Sequence, residues 1–171
     1  MDKASRRMLT RLHRYELNAT SIAGPWCDVR TKAGHMVCTD LPRLSGGRDA
    51  AAQPVELLVA ALLGCKTATA HFVARHLWPR PYNTIDTIEF LDVAAVRDER
   101  GAIALPIKAQ PEVSAALLRV TGIAKVKPTS DDVTDEDVRE LGRAVETRCP
   151  VAATLVRGNE RPVMHLCDLS S

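Results

Sequence analysis

The chain has 171 residues, with 23 basic and 21 acidic side chains, 46% hydrophobic residues and two each of Trp, Tyr and Phe. That length suits one domain able to bury a core, and apolar and charged fractions near the globular average exclude a disordered or fibrous protein. Residues 1–14 hold Lys3, Arg6, Arg7, Arg11 and Arg14 against Asp2, so the rest of the chain carries a slight negative charge; it has no basic face or aromatic platform for nucleic acid.

In chain order, residues 1–13 are expected to form a flexible basic tail and residues 14–171 a single domain. The Arg-rich start has two readings, a solvated tail on a cytoplasmic protein or a mitochondrial targeting segment, and Asp2 favours the first. Residues 14–42 alternate loosely between apolar and polar side chains and are broken at Gly24-Pro25 and Ala33-Gly34, which predicts two or three antiparallel strands. After a Gly46-Gly47 loop, Pro54 to Leu77 is rich in Ala and Leu and predicts a helix of about six turns, apolar on nearly every face and therefore buried. The most apolar stretch, Leu57 to Leu63, is well short of the ~20 residues a bilayer requires, so a membrane is not an expected partner.

Beyond this helix, 87–96, 103–107 and 117–126 read as short strands. Thr134 is placed to cap a second helix, with Asp135, Glu136 and Asp137 in the first turn, where the helix dipole favours negative charge. Pro150 suits the first position of a further short helix, and Val163 to Asp168 reads as a last strand. The order predicts an α+β domain with antiparallel sheets.

Five cysteines stand at 27, 38, 65, 149 and 167. Their odd number and the lack of an apolar leader imply reduced thiols. Cys65 lies mid-helix among Ala, Leu, Thr and Phe, where a cysteine ordinarily serves packing, unless the fold brings the Lys66 amine to its sulfur. Cys149, just before Pro150, is expected at a helix N-cap, where free N–H groups lower a thiol's pKa. On this ground it is the better thiolate candidate. Cys27, Cys38 and Cys167 read as structural. No Cys or His pair has zinc-site spacing; His71 and His76 are five apart, ~500° around a helix, and His165 with Cys167 supplies only two ligands. Neither a nucleophile elbow nor a phosphate-binding glycine motif is present, and no metal or organic cofactor is expected.

GHMVCTDLPRLSGG (34–47), QPVELLVAALLGC (53–65) and RCPVAATL (148–155) occur in an order that resembles the OsmC/Ohr family of osmotically inducible and organic-hydroperoxide-resistance proteins. The likeness runs over about 14–169. It implies an OsmC-like fold in which two chains intertwine around a long buried central helix, and a thiol-dependent peroxidase reducing organic hydroperoxides in oxidative-stress defence. It also implies Cys65 as the peroxidatic thiol and Cys149 as the resolving one, with an external dithiol as reductant, which reverses the order read from helix position. Catalytic relatives add an Arg from an N-terminal strand and a Glu directly after the helix-opening Pro. Here Val55 follows Pro54 and the acid is Glu56, nine residues and ~900° of helix from Cys65. Arg30 and Arg48 are the substitutes for the arginine. The alternative expectation is an OsmC-like protein with little or no peroxidase activity that binds a small apolar ligand at a dimer interface.

Overall fold

The structure, a computed structural model, describes residues 13–78, 80–81 and 83–158. It divides into two compact units, and the boundary falls between Leu57 and Leu58, in the first turn of the long helix.

The first unit is built on β1 (Leu17–Thr20), β2 (Cys27–Thr31) and β3 (Met36–Thr39), an antiparallel sheet in sequential order. Three strands form, within the two or three that the turn signals predict. A loop follows that is organised around Asp40, whose carboxylate accepts hydrogen bonds from the backbone N–H groups of Leu41, Arg48 and Ala50. Burial by itself would raise this carboxyl's pKa, but the three N–H donors and the charge of Arg48 outweigh it and hold the group below the usual carboxylate range. Gly47 is required where the loop folds back, because a Cβ there would stand 1.8 Å from the Leu41 carbonyl oxygen. Gln53 precedes α1 (Pro54–Leu77), and its N–H donates to Glu56 Oε2 at 2.8 Å, half of a capping box.

The second unit contains the body of α1, the hairpin of β4 (Ile85–Arg97) and β5 (Leu117–Pro128), a helical turn α2 (Arg100–Ile103), α3 (Asp135–Arg148) and α4 (Pro150–Gly158). Leu62, Lys66, Ala70, Val73 and Ala74 form the buried stripe of α1. Its C-terminal half packs with Trp78, Ile85, Val126 and the Val138, Leu141 and Val145 face of α3. Leu62 belongs to a second cluster with Leu117, Val120, Cys149 and Ala152. Thr134 caps α3 as the sequence predicts: its hydroxyl accepts from the Asp137 N–H and its own N–H donates to the Asp137 carboxylate.

Two expectations are corrected. Residues 103–107 do not form a strand, because Arg100–Ile103 is helical and Ala109 N–H turns back onto the Pro106 carbonyl. The Asp98 carboxylate closes the start of the turn on Arg100 N–H, and Pro106 has no N–H to give a sheet. The apolar stretch is also longer than Leu57 to Leu63: the whole of α1 is long and apolar enough to cross a bilayer by length and composition alone. In this fold one side of it is instead packed, with Lys66 paired to a carboxylate, as in a core helix. The tail 1–12, the strand expected at Val163–Asp168, His165 and Cys167 lie outside the described residues.

Candidate functional site

Cys65 and Cys149, 84 positions apart in the sequence, meet in the second unit. Cys65 rides on α1 at the edge of the buried stripe and is partly exposed. Its carbonyl accepts from the Thr69 hydroxyl at 2.8 Å, a bond that keeps the Thr69 side chain against its own helix. Cys149 ends α3, its N–H bonded to the Val145 carbonyl, and α4 starts at the next residue. A proline suits that first helical position because its missing N–H is one the helix leaves unpaired.

Cys149 is 0% exposed. Its sulfur accepts from the Ala152 N–H at 3.5 Å, the N-cap contact that the sequence predicts. The predicted electrostatic result is nevertheless reversed. Burial, the largest influence, pushes the thiol up, the Ala152 N–H pulls it down, and the neighbouring Cys65 thiol raises it again. Desolvation thus wins over the helix N-terminus, and Cys149 is held as a neutral thiol in contact with Cys65.

Beside the thiol pair lies an open, predominantly apolar concavity of about 500 Å³, lined by Cys65, Ala68, Thr69, Phe72, Arg148 and Pro150. Leu58, Ala61, Ala68 and Phe72 are exposed along α1, with Cys65 partly exposed at the middle of the same helical row. A contiguous apolar row of this kind marks a surface used in binding or association.

Lys66 does not bring its amine to Cys65. It turns into the packed side of α1, is 2% exposed, and forms an ion pair with Glu146 of α3. The other predicted supporting residues belong to the first unit, where each has a local partner. Glu56 accepts from Gln53 N–H, Arg30 Nη2 approaches the Met36 sulfur at 3.2 Å, and the Arg48 guanidinium lies 4.9 Å over the Trp26 ring. Cys27 and Cys38 stand in β2 and β3, as expected. The Cys38 thiol donates to Asp28 Oδ1, which together with burial pushes it up. His71 and His76 are exposed, and His76 stacks at a tilt on Phe72. No cluster of three His, Cys, Asp or Glu residues suited to a metal occurs among the described residues. Glu146 and Arg148 carry no predicted role: Glu146 has no signal beyond its closeness to Cys149 along the chain, and Arg148 stands only as the first residue of the RCPVAATL motif.

No curated protein matches the chain. The fold is shared with solved structures of low sequence identity. An OsmC-like protein from Mycoplasma pneumoniae superimposes with a TM-score of 0.67 at 16% identity, over 92% of this chain and 96% of that one. An organic hydroperoxide resistance protein OsmC from Legionella pneumophila gives 0.62 at 20% identity, over 95% and 100%. An organic hydroperoxide resistance protein from Elizabethkingia anophelis, with thiocyanate bound, gives 0.62 at 18% identity, over 94% and 100%. The sequence profile of the OsmC-like protein family matches residues 46–161, which include both the helix bearing Cys65 and the turn bearing Cys149. By that match, over more than half its length and through both thiol-bearing segments, the chain belongs to the OsmC-like family.

Proposed function

We propose that the protein is a thiol-dependent reductase of organic hydroperoxides, with Cys65 as the attacking thiol and Cys149 as the resolving one. The observation that carries this reading is the packing of a partly exposed Cys65, at the edge of an apolar concavity, against the cluster that buries Cys149. Geometry of this kind divides the labour: the accessible sulfur meets the substrate and the buried one waits.

The Cys65 thiolate attacks the terminal peroxide oxygen. The O–O bond breaks, the alkoxide leaves as an alcohol after taking a proton, and Cys65 is oxidised to the sulfenic acid. The Cys149 sulfur then attacks the Cys65 sulfur, and the sulfenic oxygen departs as water with the Cys149 proton. An external dithiol supplies the two electrons and two protons that reduce the disulfide. Phe72, Ala68 and Pro150 suit the hydrocarbon part of a hydroperoxide, which favours organic over hydrogen peroxide. The exposed apolar row on α1 supports a homodimer, in which a second copy covers surface that water would otherwise meet. A cytoplasmic location accords with thiols that must be kept reduced.

The reading is tested by peroxide consumption with dithiothreitol as reductant. Wild type is expected to consume tert-butyl hydroperoxide faster than hydrogen peroxide, and Cys65→Ser to lose the activity. Without dithiothreitol, Cys149→Ser is expected to consume one equivalent of hydroperoxide and to hold a sulfenic acid that dimedone captures. Retention of full activity in Cys65→Ser would refute the assignment. If wild type consumes no organic peroxide, the ligand-binding alternative takes its place.

A further inference from the structure

The buried stripe of α1 is apolar except at Lys66, which lies between Leu62 of the cluster around Cys149 and Ala70 of the cluster on α3. Its ammonium group crosses to Glu146, 80 positions further along the chain and three residues before Cys149. This one bond therefore joins the residue next to one thiol to the last turn of the helix that ends at the other. A buried ion pair adds little stability over a well-packed apolar pair of equal volume, because desolvating the charges offsets their attraction. A single polar contact in an otherwise greasy helix interface does something that apolar contacts do badly: it fixes register. Apolar contacts among Leu, Val and Ala are non-directional and resist a small axial shift only weakly, whereas the buried ammonium meets the Glu146 carboxylate at one place.

We propose that Lys66 and Glu146 are positioning residues, an internal clasp that locks α1 against α3 and so holds Cys65 and Cys149 in register for disulfide exchange. The proposal rests on the two cysteines being an exchanging pair, and it gives that pair its geometric precision. A disulfide forms only within a narrow window, with Cα atoms about 4.4–6.8 Å apart, so an axial shift of about 1.5 Å consumes much of the tolerance.

The test separates register from stability and needs no peroxide. Wild type and Lys66→Met/Glu146→Leu are equilibrated in glutathione buffers, in which the two thiols and oxidised glutathione give the 65–149 disulfide and two reduced glutathiones. The disulfide is quantified by peptide mapping, and urea unfolding is followed in parallel. The expected result is a double variant as stable as wild type or more so, with an equilibrium constant for disulfide formation lower by about tenfold or more, as the effective concentration of one thiol at the other falls. Lys66→Met/Glu146→Gln, which keeps a polar group at the partly exposed position, serves if the first variant fails to fold. An unchanged constant in a folded variant would overturn the proposal, as would a wild type that forms no 65–149 disulfide at any glutathione ratio. Failure of the peroxidase reading has a different signature: the disulfide forms in glutathione while organic peroxide is left unconsumed.

Discussion

Asp40 and Lys66 are the two charged side chains buried among the described residues, and they are accommodated in opposite ways. Asp40 sits in a loop and meets three backbone N–H groups within ten residues of itself. Lys66 sits in a helix, where the backbone has already used its own hydrogen-bonding groups, and must find a carboxylate on another helix. The loop can therefore satisfy its charge before the rest of the chain folds, whereas the helix can do so only when α1 and α3 have docked. A charge with local partners shapes a segment; a charge with a distant partner reports on, and constrains, the packing of two elements.

The sharpest way to break this contrast is to remove one distant partner. Glu146→Gln leaves the Lys66 ammonium buried without a counter-charge and is expected to cost about 3 kcal/mol in urea unfolding, the lower end for a broken buried pair, because Glu146 itself is partly exposed. A cost below about 1 kcal/mol would mean that the pair behaves as a surface contact.

A smaller effect, of a different kind, is expected at Asp40. Its folded pKa is depressed, so its contribution is complete above the unfolded value near ~4 and is lost as pH falls through the folded value. Wild type should therefore lose stability on acidification below about pH 4. Asp40→Asn, less stable at neutral pH, should lack that part of the decline. Parallel stability curves for the two proteins from pH 6 to pH 2.5, the range spanning the carboxylate transition, would show that the three N–H contacts do not depend on the charge.

The same division between local and distant explains how much of the molecule could be read in the sequence. The long helix from Pro54 to Leu77, the Thr134 cap with three acids behind it and Pro150 opening α4 are signals contained within a few residues, and each element stands where its signal placed it. The run Ile103, Leu105, Ile107 has the alternation of a strand, yet Pro106 and the Asp98 to Arg100 turn prevent one, and all three apolar residues are exposed. Around the thiols the limit was physical. Helix position correctly gave Cys149 an N–H contact, but the burial that reverses its pKa comes from Leu62, Leu117 and Val120, and no spacing around Cys149 encodes them. Lys66 drew notice as a neighbour of Cys65, whereas its real partner lies on the far side of the hairpin in sequence. The residues alone ranked Cys149 ahead of Cys65 as the thiolate, and the family resemblance reversed that order.

The central claim is that Cys65 and Cys149 form one redox pair, and the most direct measurement is a thiol count with disulfide mapping after a single equivalent of tert-butyl hydroperoxide, without reductant. The account predicts the loss of two thiols per chain and a 65–149 disulfide, with Cys27 and Cys38 still reduced. Both thiols remaining free in the folded protein, or a disulfide joining either of them to another cysteine, would contradict it.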